Sequence, residues 1–181
     1  AVGLVPHESS AARVDSYEGL EASWELADDD CAARVLQHER SFQHAHSGQT
    51  SEQFSLHAGS GTYVHLITRI RPSRIIDELT LSVWVKANRP GLRLAARAVL
   101  PRSTDPDSGD PLTTLLRGTT YREPGKWQKL TVDLPAQRLD RQVPVLRSQF
   151  GSEVTSREAY VDMLVLNAYG GTGETQLWLD D

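Results

Sequence analysis

The sequence predicts an all-β protein, an antiparallel β-sandwich of jelly-roll topology with a short helical insert near residues 136–150. About ten segments alternate apolar and polar residues, which is the two-residue period of a strand with one buried face. Turn-forming Gly, Pro, Asp and Asn separate these segments at fairly regular spacing, as in other all-β domains. The insert breaks the alternation: Leu139, Val143 and Leu146 follow helical spacing, and Pro144 is expected to limit any helix to short pieces.

The predicted strands follow one another along the whole chain. Residues 12–26 are predicted to form two short strands around Gly19, and the acidic run at residues 28–30 to form a solvated loop. That run lacks the spacing and the closing Glu of an EF-hand, so a calcium loop is not expected there. The remaining predicted strands cover residues 33–42, 52–58, 63–70, 79–86, 92–100, 112–121, 127–134, 160–169 and 175–179.

Residues 75–100 contain the most regular pattern. Both residues 79–86 and residues 92–100 alternate strictly, and a turn containing Pro and Gly separates them. We therefore expect the two segments to pair directly as a hairpin with one apolar face. The opposite face contains Trp84 and Arg97, and we expect this face, or the loops at its end, to bind a ligand.

Length and composition restrict the kind of protein and its partners. The 181 residues suit a single sandwich, so residues 1–181 are predicted to form one domain. The net charge of −5 is spread along the chain, which disfavours nucleic acid and anionic membranes as partners. Cys31 is the only cysteine, so no intramolecular disulfide can form and the core, with or without a metal, must hold the fold.

The ends of the chain suggest its context. The chain contains no run of about eighteen apolar residues, so membrane insertion is not expected. Its first residues lack the basic and apolar regions of a secretory signal, although a signal could already have been removed. The chain stops at residues 177–181, part-way through a predicted strand. We therefore expect a domain excised from a longer multidomain protein, covalently linked there to a neighbouring domain.

Residues suited to catalysis form no known motif. Five histidines occur from His38 to His65, but without an HExxH pattern or a second cysteine they are predicted to be ordinary surface histidines. The chain has no GxSxG elbow for a serine nucleophile. A carboxylate pair for glycoside hydrolysis could come from distant strands, and nothing in the sequence selects one. Asp162, in an apolar strand, is predicted to pair with an arginine rather than to act in catalysis.

Aromatic side chains indicate sugar binding better than these motifs indicate catalysis. A sugar ring presents apolar C–H groups and a rim of hydroxyls, so its site combines an aromatic surface with bidentate polar groups. By strand parity, the candidate ligand-binding residues on polar faces are Trp84, Arg97, Tyr63, His65, Asn167 and Tyr169. Each also has a structural explanation, since Trp84, for example, could cover the sandwich beneath a loop.

Short motifs in a fixed order resemble the jelly-roll carbohydrate-binding modules of the galactose-binding-like fold. The motifs are Tyr17–Glu18–Gly19 with Trp24, His46–Ser47–Gly48 before residues 52–56, residues 81–86 around Trp84, Gly125–Lys126–Trp127, and residues 177–181. Together they span nearly the whole chain. The sequence departs from the family pattern at Tyr17, which replaces a Phe, in the 102–111 loop and in the 136–150 insert.

The resemblance implies a structural calcium ion that joins the first and last strands. Its ligands would be Glu18, Asp180 and backbone carbonyls near Ser47 and Gly48. Oxygen ligands from three separated segments would stabilise the termini of a sandwich that lacks a disulfide. The alternative is that Glu18 and Asp180 are ordinary surface acids.

The resemblance also implies a function. It indicates a non-catalytic carbohydrate-binding module, secreted or at the cell surface, that binds a poly- or oligosaccharide by aromatic stacking and hydrogen bonding. Such a module would be an accessory domain of a glycan-active enzyme. Two alternatives remain open: a structural accessory sandwich that packs on a catalytic domain without binding sugar, and a jelly-roll lyase or hydrolase.

Overall fold

Ten strands and one helix occur in residues 22–181, the part of the chain that this computed structural model describes. The elements are β1 (Glu25–Asp29), β2 (Arg34–Ser41), β3 (Ser51–Ala58), β4 (Val64–Arg74), β5 (Leu81–Ala87), β6 (Arg93–Thr104), β7 (Pro111–Thr120), β8 (Gln128–Val132), α1 (Pro135–Phe150), β9 (Tyr160–Asn167) and β10 (Gly173–Asp180). The predicted strand before Gly19 and the predicted calcium ligand Glu18 lie outside the described residues. Within residues 22–181, no helix is both long enough and apolar enough to cross a membrane.

The strands form two antiparallel sheets of five strands each. Sheet A has the order β1-β4-β9-β6-β7, and sheet B has the order β2-β3-β10-β5-β8. All strand pairs in both sheets are antiparallel. The predicted antiparallel β-sandwich is therefore confirmed.

The core lies between the two sheets. It is a single cluster of buried apolar side chains from both, including Phe54, Leu56, Val85 and Leu177 of sheet B and Leu66, Leu94, Leu100 and Leu166 of sheet A. Burial of each large apolar side chain contributes about 1.5–3 kcal/mol to folding. These residues occupy the apolar positions of the alternating segments, so the sequence pattern located most of the core.

The hairpin predicted within residues 75–100 is wrong. β5 pairs with β10 and β8 in sheet B, whereas β6 pairs with β9 and β7 in sheet A. The two strands face each other across the core instead of lying side by side. An alternating segment buries the same residues in either arrangement, so the pattern does not distinguish them. As a result, Trp84 and Arg97 lie on the outer faces of different sheets.

The helical insert also differs from its prediction. α1 is one helix of 16 residues that continues through Pro144, although Pro144 removes a backbone hydrogen bond at a cost of about 3 kcal/mol. The helix buries Leu139, Val143 and Leu146, and this apolar stripe packs into the same core cluster as the strands. Burial of that stripe offsets the proline, because tertiary packing supplies most helical stability in proteins.

The acidic run at residues 28–30 lies partly in a strand rather than in a loop. Asp28 and Asp29 belong to β1, which pairs with β4. β1 is the outermost described strand of sheet A, where charged side chains are well tolerated. The Asp28 side chain is accordingly 60% exposed, so it is solvated as predicted although its backbone is paired.

Candidate functional site

The outer face of sheet A, the face that points away from the core, contains four predicted ligand-binding residues: Tyr63, His65, Asn167 and Arg97. Strand register aligns its side chains in rows that cross the sheet. The first row contains Asp28 of β1, His65 of β4, Asn167 of β9, Arg93 of β6 and Thr120 of β7. This row is entirely polar, and Arg93 Nε donates to Thr120 Oγ1 at 3.0 Å.

An apolar patch follows the polar row along the strands. Ala95, Met163 and Val165 form a cluster separate from the core, with Ile67 and Leu115 packed against it. These five residues are called the apolar floor below. On the outer face, Ala95, Met163 and Val165 are only 4–7% exposed, so a ligand would contact this patch mainly through the partly exposed Ile67 and Leu115. An apolar surface bordered by hydrogen-bonding side chains suits a ligand with both apolar and polar groups.

Arg97 and Asp162 form an ion pair at the next position along the face. Arg97 Nε and Nη2 donate to Asp162 Oδ1 and Oδ2 at 2.9 and 2.6 Å, so the pair is bidentate. This hydrogen bonding raises the pKa of the Arg97 guanidinium, and partial burial opposes the rise. The predicted pairing of Asp162 with an arginine is confirmed.

A β-bulge explains why Asp162 points outward. Arg97 is aligned with Met163, and the next residue of β6, Ala98, is aligned with Val161, so β9 contains one extra residue at Asp162. Strict alternation would turn Asp162 toward the core and Val161 outward. Val161 is instead fully buried in the core and Asp162 reaches Arg97.

A cleft of about 440 Å³ opens beside this ion pair. It is lined by Val99, Tyr160 and Asp162 of the sheet, by residues of the loop at 105–110, and by Phe150 at the end of α1. The volume lies within the usual range of small-molecule sites, about 300–1,000 Å³. The cleft therefore extends the outer face of sheet A into a concave site.

Tyr63 and His65 form an aromatic pair at the opposite end of this face. Their rings stack with centroids 4.5 Å apart and an interplanar angle of 24°. His65 Nδ1 lies 2.9 Å from Asp28 Oδ1. Partial burial raises the pKa of the Tyr63 hydroxyl, and the nearby carboxylates of Asp28 and Asp30 add to the rise. This arrangement holds the Tyr63 ring in one orientation.

Asn167 and Tyr169 use their polar groups mainly on the backbone. Asn167 Oδ1 accepts the N–H groups of Val64 and Tyr169, and its Nδ2 donates to a backbone carbonyl of the preceding loop. The Tyr169 hydroxyl accepts the Gly61 N–H at 3.2 Å and donates to the Gly59 carbonyl at 3.3 Å. Both residues fix the turn that holds Tyr63.

Trp84 lies on the outer face of sheet B, away from the other candidates. His46 stacks on its ring with centroids 3.7 Å apart and an interplanar angle of 18°. Trp127 contacts the same histidine edge-on at 5.8 Å, and His44 contacts Trp178 edge-on at 4.7 Å. A loop histidine therefore covers one face of the Trp84 ring.

Asp180, the described member of the predicted calcium site, is fully buried. Its Oδ2 accepts the backbone N–H groups of His46 and Ser47 at 2.6 and 3.1 Å, and its Oδ1 accepts that of Asp181 at 2.9 Å. Burial raises the pKa of the Asp180 carboxyl. No salt bridge within residues 22–181 includes this carboxylate.

These contacts fit a cation only in part. Within residues 22–181, Asp180 Oδ1 accepts a single hydrogen bond, and a buried carboxylate that has no described cationic partner suits calcium. The loop at residues 46–47, however, directs N–H groups at Asp180, where the resemblance implied carbonyl oxygens. In the described part of the chain, no three His, Cys, Asp or Glu side chains form a group that could hold a metal ion.

Solved structures with similar architecture place the chain among known folds. No protein-family model and no curated protein sequence matches it. A family 11 carbohydrate-binding module from a cellulosomal cellulase of Clostridium thermocellum gives a TM-score of 0.52 at 12% identity, covering 93% of each chain. A family 11 module from Clostridium thermocellum in complex with a β-1,3-1,4-mixed-linked tetrasaccharide gives a TM-score of 0.51 at 12% identity, covering 93% of this chain and 91% of that one.

A third structure comes from work on the promiscuous specificity of carbohydrate-binding modules of the β-sandwich superfamily. It gives a TM-score of 0.51 at 12% identity and covers 95% of this chain, which spans 62% of the length of that one. The chain has the β-sandwich fold of carbohydrate-binding modules. At this identity the similarity establishes the fold alone.

The sequence pattern did not indicate several residues of the candidate site. Tyr160 and Phe150 line the cleft, but one begins a strand and the other ends the insert, so no pattern connected them. The apolar floor was also missed, because the near-continuous apolar run at residues 160–169 indicated a central strand without showing that one side would face outward. Strand parity did place Tyr63, His65 and Arg97 on the outer face, and their role in binding stays a prediction.

Proposed function

We propose that this protein binds carbohydrate, without catalysis, on the outer face of sheet A. The observation behind this proposal is the apolar floor lying between the polar row and the Arg97–Asp162 pair, next to an open cleft. A sugar ring needs both an apolar surface for its C–H groups and fixed donors and acceptors for its hydroxyls. The fold shared with carbohydrate-binding modules supports the same function.

The groups on this face suit recognition of hydroxyls. Bidentate pairing fixes the plane of the Arg97 guanidinium, and the remaining N–H groups of that plane are directed away from Asp162. The Tyr63 ring, held by its stack on His65, provides an aromatic surface at the other end. Binding would therefore need little rearrangement of side chains, which lowers its entropic cost.

Asp162 is better suited to binding than to acid catalysis. Both of its oxygens accept hydrogen bonds from the Arg97 guanidinium, so neither is available to a leaving group. A general acid in glycoside hydrolysis needs a carboxyl that stays protonated until it donates to the leaving group. This contrast supports a binding module over a lyase or hydrolase.

Titration calorimetry against a panel of polysaccharides tests the proposal. The panel contains mixed-linked β-1,3-1,4-glucan, xylan, β-mannan, galactan and polygalacturonate. We expect at least one to bind, and we expect Tyr63→Ala to lower the affinity about tenfold, which corresponds to ~1.4 kcal/mol. Phe42→Ala is the matched control. Phe42 is also aromatic and is 72% exposed, but it follows β2, which belongs to sheet B.

The alternative is a structural accessory sandwich that binds no sugar. It would be favoured if no panel member bound while the protein remained folded. The panel therefore separates the two hypotheses directly. We further propose an accessory role beside a catalytic domain, covalent linkage to that domain and a location outside the cell. The cellulase origin of one similar module supports these three points.

We also propose a structural calcium ion near Asp180. Its buried carboxylate would provide one oxygen ligand, and Glu18 is predicted to provide another. Calcium would neutralise the buried charge and connect the last strand to the beginning of the chain. We expect calcium to raise the melting temperature of the chelated protein. An unchanged melting temperature in excess EDTA would contradict the calcium proposal without contradicting carbohydrate binding.

A further inference from the structure

The cleft lies at one end of the carbohydrate-binding face proposed above. β9 begins at Tyr160 and β7 begins at Pro111, and both residues line the cleft. Beyond them, the loop at residues 105–110 connects β6 to β7, and its Asp105, Ser108 and Asp110 line the cleft together with Phe150 at the end of α1. The face therefore ends in a wall there.

Internal hydrogen bonds make the loop a fixed part of this wall. The Asp105 N–H donates to the Asp110 carbonyl at 2.8 Å, and the Gly109 N–H donates to the Asp105 carbonyl at 2.9 Å. Asp105 Oδ1 also accepts the Asp107 N–H at 2.8 Å. Gly109 has a φ of 78°, a conformation that glycine adopts without strain. Such a loop does not need to be ordered by the ligand.

The cleft contains more negative than positive charge. Its charged side chains are one guanidinium, Arg97, and three carboxylates, Asp105, Asp110 and Asp162, so the formal sum is −2 (one minus three). Arg97 is already paired with Asp162. An acidic sugar would therefore meet two carboxylates without a free cation from this set, and like charges at close range repel.

We propose that this cleft receives the terminal residue of a glycan chain, and that this residue is a non-acidic sugar. The inference rests on the proposed function, because it assigns a mode of binding to the same face. The wall blocks a chain from continuing past the cleft, while the open face lets the chain extend toward Tyr63. Phe150, which is 38% exposed, and Tyr160 provide aromatic surface for the terminal ring.

Counting binding sites per gram of polysaccharide tests this mode of binding. The probe is mixed-linked β-1,3-1,4-glucan, or another neutral panel member if that one binds, before and after limited endo-cleavage. Halving the mean chain length doubles the number of chain ends at constant mass. We expect the number of binding sites per gram of polysaccharide, measured by calorimetry, to double as well. A number of sites that stays constant would overturn end recognition while leaving carbohydrate binding intact.

Two further measurements separate the cleft from the rest of the face. Phe150→Ala is expected to lower the affinity for a short neutral oligosaccharide at least fivefold, whereas the control Phe42→Ala leaves it unchanged. Galacturonate oligomers are expected to bind at least tenfold more weakly than neutral oligomers. Tighter binding of galacturonate, or an unchanged affinity in Phe150→Ala, would overturn the inference. Failure of every panel glycan to bind would overturn the proposed function together with it.

Discussion

Arg97 and Asp162, 65 positions apart in the sequence, form a bidentate ion pair on the outer face of sheet A. Their side chains are 31% and 20% exposed, so both are accessible to a ligand in the adjoining cleft. The pair depends on a β-bulge in β9 that turns Asp162 outward. Bulges commonly redirect a side chain beside a functional site.

Replacement of Arg97 should affect binding more than stability. We expect Arg97→Gln to weaken glycan binding about tenfold, because the fork of donors is lost. Partly exposed ion pairs contribute little to folding, so the free energy of unfolding should fall by only about 1 kcal/mol. Calorimetry and urea unfolding measure the two effects. A large loss of stability with unchanged affinity would show that the pair is structural.

Replacement of Trp84 should have the opposite effect. His46 covers one face of its ring, and the ring lies on sheet B. We expect Trp84→Ala to lower the free energy of unfolding by about 2–4 kcal/mol, since a large packed side chain is removed. Glycan affinity should stay within about twofold, well under 1 kcal/mol. Lys129→Ala is the control, because Lys129 of β8 is aligned with Trp84 of β5 and its side chain is exposed. A tenfold loss of glycan affinity in a folded Trp84→Ala variant would show that Trp84 contributes to glycan binding.

Glu52 should be essential for folding. Its fully buried carboxylate accepts the N–H groups of Ser23 and Trp24, both at 2.9 Å, and lies 2.7 Å from His38 Nε2 and 3.3 Å from Arg40 Nη1. Neutralising a buried, multiply paired carboxylate removes the negative charge that its donors and its cationic partner contact. We expect Glu52→Gln to cost about 3–5 kcal/mol in the free energy of unfolding.

Urea unfolding measures the Glu52→Gln effect, and Glu174→Gln provides the matched control. Glu174 lies on β10, which pairs with β3, but its side chain is exposed. Surface substitutions of this kind usually change stability by about 0.5 kcal/mol or less. Equal effects of the two substitutions would contradict a structural role for Glu52.

Asp30 should make stability depend on pH in the acid range. The Thr62 hydroxyl and the backbone N–H groups of Tyr63 and Thr62 lower the pKa of the Asp30 carboxyl from 3.8 to about 2. A carboxyl whose pKa is lower in the folded state stabilises the protein above its unfolded pKa. That contribution disappears as the pH falls through the folded pKa, between about pH 4 and pH 2.

NMR titration of the Asp30 carboxyl checks this expectation. We expect a midpoint near 2 in the native protein and a higher midpoint in Thr62→Val, which lacks the main hydrogen-bond donor. The stability difference between the native protein and Asp30→Asn should shrink as the pH falls across this range. A midpoint near the ordinary aspartate value in both proteins would contradict the hydrogen-bond explanation.

Ala32 occupies a backbone conformation that favours glycine. Its φ is 51° and its side chain is exposed, so substitution by glycine removes strain without removing packing. We expect Ala32→Gly to raise the free energy of unfolding by about 0.5–1 kcal/mol. Ala27→Gly is the control, because Ala27 is exposed in β1 and glycine there should destabilise by a similar amount. Destabilisation by both substitutions would contradict the expected strain at Ala32.

The sequence was sufficient for predictions that depend on local pattern. A period of two identified the strands and the residues of the core, because alternation places successive side chains on opposite faces. It also located Tyr63, His65 and Arg97 on polar faces, and the isolated charge of Asp162 in an apolar strand predicted its arginine partner. Apart from which arginine pairs with Asp162, each of these properties is set by residues within a few positions of one another.

The tertiary structure decided the arrangement of those strands and the shape of the site. Period-two segments can pair side by side or face each other across a core, so alternation could not show that Trp84 and Arg97 lie on different sheets. The cleft combines β9, the 105–110 loop and the end of α1, which are distant in sequence. Their proximity results from packing around the shared core, and packing is a property of the whole chain rather than of any segment.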